Sequence, residues 1–191
     1  MKKKINFLLI SKRLRFIGTF FNFIMFFIPF LPCVQLISGA TKRNYGPAYS
    51  FIFGGKISST NISYSAKGIS PIFLISFLLI LFAFLTLIYS FFAQNKKNTN
   101  ISSILTFSSS ITIFLSSIFV LCSHKSIANV LADSLTSEHS DSVSKTVYNN
   151  STLLFGTYGL SIAGFITSLI LFASLLFDGS FDRVRKHLGL I

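Results

Sequence analysis

The residues whose types could do chemistry are few, and the densest group of them follows the third apolar run of the chain. One short stretch contains a hydroxyl, an imidazole and two carboxylates, in Ser137, Glu138, His139 and Asp141. Imidazoles and carboxylates bind zinc, and a histidine can activate a serine nucleophile. A catalytic zinc needs three well-placed ligands and a nucleophile needs an oriented base, and neighbours in a serine-rich loop supply neither. We therefore predict no catalytic residues, no metal site, no cofactor and no enzyme activity.

The two cysteines, Cys33 and Cys122, are the other reactive side chains. Each lies near the end of an apolar run, so they would approach one another if the first and third runs were neighbours. Cysteine also behaves as a small buried hydrophobic residue, and we favour free, packed thiols at both positions. The sequence contains no glycine-rich loop of the kind that holds a phosphate.

The amino-acid composition indicates which class of protein contains these reactive side chains. Of the 191 residues, 51% are hydrophobic and 12% are charged, whereas soluble domains carry about 25% charged residues. A formal net charge of +12 would suit nucleic acid, but the apolar residues are gathered into long runs and the basic residues flank them. We predict an integral protein of the cell membrane whose partner is the lipid bilayer, with no nucleic acid.

Four uncharged segments are long enough to cross a hydrocarbon core about 30 Å thick, which takes roughly 20 helical residues. They predict an all-α membrane protein that forms one domain, a four-transmembrane-helix bundle. The predicted spans are residues 16–37, 71–93, 101–123 and 152–177. We expect Ser70 to cap the second span and Pro71 to begin it. Pro29 and Pro32 should kink or loosen the end of the first span.

The distribution of Lys and Arg predicts the orientation, because the cytoplasmic side retains an excess of them. With both termini in the cytoplasm, eleven of the 17 basic residues lie on that side, and six of those precede the first span. The two long connections, residues 38–70 and 124–151, are then external loops. The first span exceeds the length of a signal-peptide core and no small-residue cleavage site follows it, so we predict an uncleaved anchor.

Small and hydroxyl-bearing side chains mark the predicted helix contacts, because in lipid they let backbones approach and hydroxyls bond between helices. In the third span serines recur every seven residues in two rows, which are Ser102, Ser109, Ser116 and Ser123, and Ser103, Ser110 and Ser117. In the fourth span small residues recur at Gly156, Gly159 and Ala163. We predict that these two spans pack together through the stripes. The alternative is that the serine rows line a path for water or a solute.

The predicted spans contain no Asp, Glu, Lys, Arg or His. Ion-coupled transporters place such a group near the membrane midplane, so one copy of this chain is not expected to be a complete transporter. Asn22 and Gln35 are the most polar side chains in the first span, and we expect neighbouring helices to satisfy them.

The first external loop contains alternating aromatic residues followed by a Gly-Gly pair. This pattern predicts a small β-hairpin that turns at Gly54 and Gly55, with Ile52 opposite Ile57. The aromatic residues ahead of the turn would either cap the bundle or form a possible external interaction loop; they are Tyr49, Phe51 and Phe53.

The second external loop begins with apolar residues at helical spacing, namely Ile127, Val130, Leu131 and Leu135. We predict that the third helix continues beyond the membrane as an amphipathic extension. A polar segment, residues 136–145, is expected to follow it as a solvated loop.

The layout as a whole has a short inner turn, two longer outer loops and heavy use of Ile, Phe, Asn, Lys and Ser. It resembles uncharacterised four-span membrane proteins of AT-rich bacteria, wall-less ones in particular. It is also similar in outline to the claudin-like tetraspans, but residues 38–70 contain neither Trp nor a Cys pair. We expect a structural or accessory protein that binds another membrane protein or forms a homo-oligomer. The alternative is a subunit of an oligomeric transporter or channel.

Overall fold

A computed structural model describes residues 7–38, 40–59, 62–95, 99–136 and 141–177. The helices are α1 (Phe7–Met25), α2 (Tyr49–Phe53), α3 (Pro71–Asn95), α4 (Thr99–Cys122), α5 (His124–Leu135), α6 (Asp141–Asn149) and α7 (Phe155–Phe177). The strands are β1 (Val34–Ser38), β2 (Thr41–Tyr45), β3 (Lys56–Ser59), β4 (Ile62–Ser65) and β5 (Ser151–Leu153). A single 3₁₀ turn, Ile28–Phe30, follows α1.

Four helical segments in these ranges are long and apolar enough to cross a membrane: Leu9–Phe30, Pro71–Gln94, Thr99–Cys122 and Phe155–Phe177. The strands are short and antiparallel, with β1 between β2 and β5 in one sheet and β3 paired with β4 in another. The predicted fold class, an all-α membrane protein with four spanning helices and a small hairpin in the first loop, is confirmed.

The first span differs from its prediction at both ends. α1 begins at Phe7 and ends at Met25, and residues 34–37, predicted to be the end of the span, belong to β1. Pro29 and Pro32 explain the early end, because neither can donate the backbone hydrogen bond that a continuing helix needs. The earlier start brings Lys12, Arg13 and Arg15 into the membrane-spanning segment, which corrects the prediction that no ionisable residue lies there.

The second span begins at Pro71, where the missing N–H of proline costs no hydrogen bond. The carbonyl of Ser70 accepts the first helical hydrogen bond, from the Leu74 N–H at 2.9 Å. The Ser70 hydroxyl does not cap the helix and donates instead to the Ser126 hydroxyl of α5, at 2.8 Å. At the other end of the chain α7 stops at Phe177, and the Asp178 and Gly179 that would end this span lie outside the described residues.

The hairpin of the first loop is not where the Gly-Gly pair placed it. Tyr49–Phe53 forms α2, and Gly54 and Gly55 end this helix with φ values of 78° and 122°. The consecutive residues Ser50, Phe51 and Ile52 are all buried, which suits a helical turn and not a strand of alternating burial. The two observed hairpins are β1–β2 and β3–β4, so the predicted pairing of Ile52 with Ile57 is wrong.

The second loop is more helical than predicted. A turn at Ser123 separates α4 from α5, so the amphipathic extension is a helix of its own. It buries Ile127, Val130 and Leu131, whereas Leu135 is partly exposed. Part of the predicted polar loop forms α6, while Ser137, Glu138 and His139 lie outside the described residues.

The chain divides into two compact units. One draws its described residues from Met1–Ile24, Leu79–Phe114 and Ala163–Ile191, and these are helical. The other contains Met25–Leu78 and Leu115–Ile162, and it includes all of the described strands together with α2, α5 and α6. Its core contains fully buried apolar side chains from both predicted external loops, which are Phe51, Ile52, Ile57, Ile127 and Leu131.

Candidate functional site

The first serine row of α4 is buried and bonds to α3. Ser102 shares a 3.0 Å hydrogen bond with the Ser90 hydroxyl, and Ser109 shares one of 2.5 Å with Thr86. Further along, Ser116 donates to the Ser76 carbonyl at 2.9 Å. The predicted partner of this row was the fourth span, and the structure places α3 there instead.

The second serine row of α4 bonds to α7. Ser110 and Ser168 each donate to the other's carbonyl at 2.9 Å, and the Ser161 hydroxyl of α7 donates to the Ser117 carbonyl at 2.8 Å. Ser103 donates within its own helix, to Thr99. The rows therefore face two different neighbours, and the sequence period carries no information on which neighbour each row meets.

The small residues of the fourth span have separate surroundings. A Cβ added to Gly156 would lie 2.5 Å from the Pro32 carbonyl oxygen and would also collide with that of Leu31. Gly159 faces the Phe155 ring of its own helix, and Ala163 is partly exposed. Gly156 thus allows α7 to approach the segment after the first span, and α4 is not its neighbour at this contact.

A buried arginine lies beside the serine row at one end of α4. Arg15 is 3% exposed, and its Nη1 donates to the Ser102 hydroxyl at 2.9 Å. Ser102 is also joined through Ser90 to Thr106, whose hydroxyl lies 2.9 Å from that of Ser90. A charge at this depth is costly unless it is hydrogen-bonded, and hydroxyls supply part of that compensation. The sequence interpretation missed this cluster because it began the first span at Phe16.

The two polar residues singled out in the first span also depart from expectation. Asn22 is fully buried, and its side-chain amide has no hydrogen-bond partner in the part of the chain that the structure describes. Gln35 lies in β1 and donates to the Asn44 side chain of β2 at 2.8 Å. The hydrogen-bond partner of Gln35 therefore lies on a neighbouring strand and not on a neighbouring helix.

The predicted interaction loop separates into a buried and an exposed part. Phe51 is fully buried, whereas Phe53 is 60% exposed and Tyr49 is 37% exposed. The Tyr49 ring lies 5.4 Å from the ring of Phe30, which is 65% exposed. A Cβ would meet no neighbour at Gly54 or Gly55, although their positive φ values favour glycine. The surface that remains for binding is therefore aromatic.

The imidazole of His124 joins elements of the second unit. His124 Nε2 lies 2.9 Å from the Ser151 hydroxyl and its ring is 4.8 Å from that of Tyr148. Burial lowers the pKa of His124, against a smaller raising effect of a hydrogen bond with the Ser151 backbone. Ser151 is 5% exposed and donates to the Tyr148 carbonyl, so the pair fastens β5 to α5.

The cysteines are free and have different surroundings. Cys33 is buried 3.0 Å from the Thr157 hydroxyl, and burial raises the pKa of its thiol to about 12. Cys122 is exposed. Within the described ranges, no three His, Cys, Asp or Glu side chains are grouped so that they could hold a metal ion.

No protein-family model matches this sequence, and no curated protein is significantly similar to it. The four apolar helices make the chain a multi-pass membrane protein.

Proposed function

We propose that this chain is a non-enzymatic structural or accessory protein of the cell membrane. It binds another membrane protein, or a second copy of itself, through the outer faces of its helices and its aromatic outer surface. The observation that carries this proposal is the burial of both serine rows of α4. Their hydroxyls bond to α3, to α7 and within α4, which leaves apolar and aromatic side chains for contacts with lipid and partners.

The same observation favours an accessory role over the alternative of an oligomeric channel. A path lined by the serine rows would need them to face outward between copies. Ser102, Ser109 and Ser116 are at most 1% exposed. Rotating them toward a pore would break interhelical hydrogen bonds on which the packing of α3 and α4 depends.

The proposed contact surface is aromatic and belongs to the second unit. It consists of Phe30, Tyr49 and Phe53, which are exposed although large and apolar. Exposed aromatic patches are typical of sites that meet lipid headgroups or another protein. We further propose that both termini are cytoplasmic and that this surface is external, because that arrangement keeps the larger share of Lys and Arg inside.

Photocrosslinking in native membranes tests this proposal. A benzophenone amino acid at position 53 should form a protein adduct, and the same group at position 51 is the matched control because Phe51 is fully buried. Adducts with lipid alone at position 53 would contradict partner binding.

Flux measurements test the alternative. Liposomes that contain the purified protein should be no more permeable to ions and small solutes than empty ones. Flux that appears with the protein and is abolished by Ser109→Leu with Ser116→Leu would establish the channel.

A further inference from the structure

A cleft in the second unit is formed by side chains of the β1–β2 hairpin, of β4 and of the end of α5. It encloses about 290 Å³ and is lined by Leu36, Ser38, Thr41, Arg43, Tyr45, Tyr64 and Leu135. Small-molecule sites usually occupy about 300–1,000 Å³, so this cleft suits a ligand at the small end of that range.

The strand register explains why these side chains converge. Ser38 pairs with Thr41, Leu36 with Arg43, and Val34 with Tyr45. Since alternate residues of a strand point to one face, these pairs share one side of the β1–β2 hairpin. Tyr64 of β4 and Leu135 at the end of α5 complete the lining. Lys42 and Asn44 alternate with the cleft residues and therefore lie on the opposite face.

The lining is positively charged and rich in hydrogen-bond donors. Arg43 supplies a guanidinium, and no described lining residue carries a carboxylate. Arg43 lies near the Tyr45 phenol and lowers its pKa. A guanidinium has only N–H donors, so a phenol beside it retains its own hydrogen for donation to a ligand. Burial is the main cause that raises the pKa of Tyr45; the neighbouring Tyr64 adds to it, and together they outweigh the lowering by Arg43.

We propose that this cleft binds a small monocarboxylate with a short aliphatic tail. The carboxylate would receive hydrogen bonds from Arg43 and the tyrosine hydroxyls, since a planar guanidinium matches carboxylate geometry. The aliphatic part would lie against Leu36 and Leu135. A single guanidinium balances one negative charge, which disfavours phosphate. This site goes beyond the proposed accessory role and does not depend on it.

Binding of sodium butyrate to the purified full-length protein tests the proposal. Isothermal titration in a neutral detergent and Tris–chloride buffer should give saturable binding. Arg43→Gln should weaken it at least tenfold. Lys42→Gln removes the same charge from the opposite face of the same strand and should change it less than twofold. Tyr64→Phe should weaken binding several-fold, and circular dichroism checks that each variant is folded.

Three further probes define the chemistry. Butyramide, which has the tail without the charge, and inorganic phosphate should each bind at least tenfold more weakly than butyrate. An N-acetylated dipeptide with a free carboxyl terminus is compared with butyrate. Tighter binding of the dipeptide identifies a chain terminus as the source of the carboxylate, and tighter binding of butyrate identifies a free acid. Equal butyrate binding by wild type and Arg43→Gln, equal binding of butyramide, or no saturable binding would overturn the proposal.

Discussion

Individual polar residues in this chain contribute mainly by joining elements that are distant in sequence. Cys33 and Thr157 are in contact although 124 positions apart, and Arg15 reaches Ser102 over 87 positions. In hydrocarbon an unsatisfied polar group costs more than it does in water, so each such contact constrains the helices that supply it. Asn22, fully buried with its amide unpartnered in the described structure, departs from this rule.

His124 should make stability depend on pH. Its pKa is lower in the folded protein than the value of about 6.5 for an unfolded chain, because burial disfavours the charged ring. The unfolded state therefore binds a proton first, and stability present above pH 6.5 is lost as the pH falls toward the folded pKa. Thermal midpoints in detergent between pH 7.5 and 5 should fall more for wild type than for His124→Gln. Identical slopes would show that this ring does not contribute.

Gly156 should tolerate a side chain poorly, because an added Cβ would have very close backbone neighbours there. The Cβ of Gly156→Ala would collide with the backbone of Leu31 and Pro32, which cannot move aside as a side-chain end can. We expect a loss of about 1–3 kcal/mol of stability, the usual cost of overpacking. Gly68→Ala is the matched control, because a Cβ there has no neighbour within 4 Å. Equal unfolding midpoints for the two variants would contradict the close approach.

At the scale of elements, α4 is the helix whose hydroxyls bond to both α3 and α7. Its serine period could be read from the sequence, since rows seven residues apart stay on one helical face. The partner of each row could not be read from the sequence, because the serines of α3 and α7 are chemically equivalent as hydrogen-bond donors and acceptors. Only the tertiary arrangement distinguishes Ser90 and Ser76 from Ser161 and Ser168.

The reciprocal pair formed by Ser110 and Ser168 should contribute measurably to stability. Ser110→Ala is expected to cost roughly 0.6 kcal/mol and at most about 1.7 kcal/mol, the range found for hydrogen bonds between membrane helices. Ser108→Ala is the control, because Ser108 is exposed on the same helix. Unfolding in mixed micelles measures both variants, and a double-mutant cycle with Ser168→Ala isolates the pair. Additive losses in that cycle would mean that the two hydroxyls act independently.

Apart from the start of α1, the elements that sequence patterns misplaced lie outside the long apolar helices. Pro29 and Pro32 were expected to kink or loosen the end of the first span, yet α1 ends before them, and β1 pairs with β2 and β5. The Gly-Gly pair was expected to form a hairpin turn, yet it ends α2. In both places a short segment is stabilised by long-range contacts, and local periodicity does not encode them.

At the scale of the whole molecule, apolar run length was enough to predict the four spans, because hydrocarbon thickness sets a length that does not depend on tertiary contacts. For the helix contacts, the sequence predicted which types of residue take part, serine and glycine, and did not predict which helices they join. The cleft around Arg43 depends on the β1–β2 register and on the end of α5, and of its lining residues only Leu135 was singled out from sequence, as an apolar position of the predicted helical extension.

The proposed orientation can be tested by thiol labelling of intact cells. Ser65→Cys and Asn100→Cys place single exposed thiols in β4 and at the start of α4. Cys122 is replaced by serine, while Cys33 stays because it is buried with a pKa of about 12. A membrane-impermeant maleimide should label Ser65→Cys directly and Asn100→Cys only after permeabilisation. The opposite result would place the termini outside.

The pairing of β1 with β5 has a consequence for how the protein is made. β1 and β2 can pair as soon as they emerge, but β5 follows only after α3 to α6 have been synthesised. At about 5–20 residues per second, this delay of more than a hundred residues lasts on the order of ten seconds. Throughout it, one side of β1 is an open template for foreign strands. A nascent chain released before Ser151 would keep that edge unpaired, because β5 would be missing.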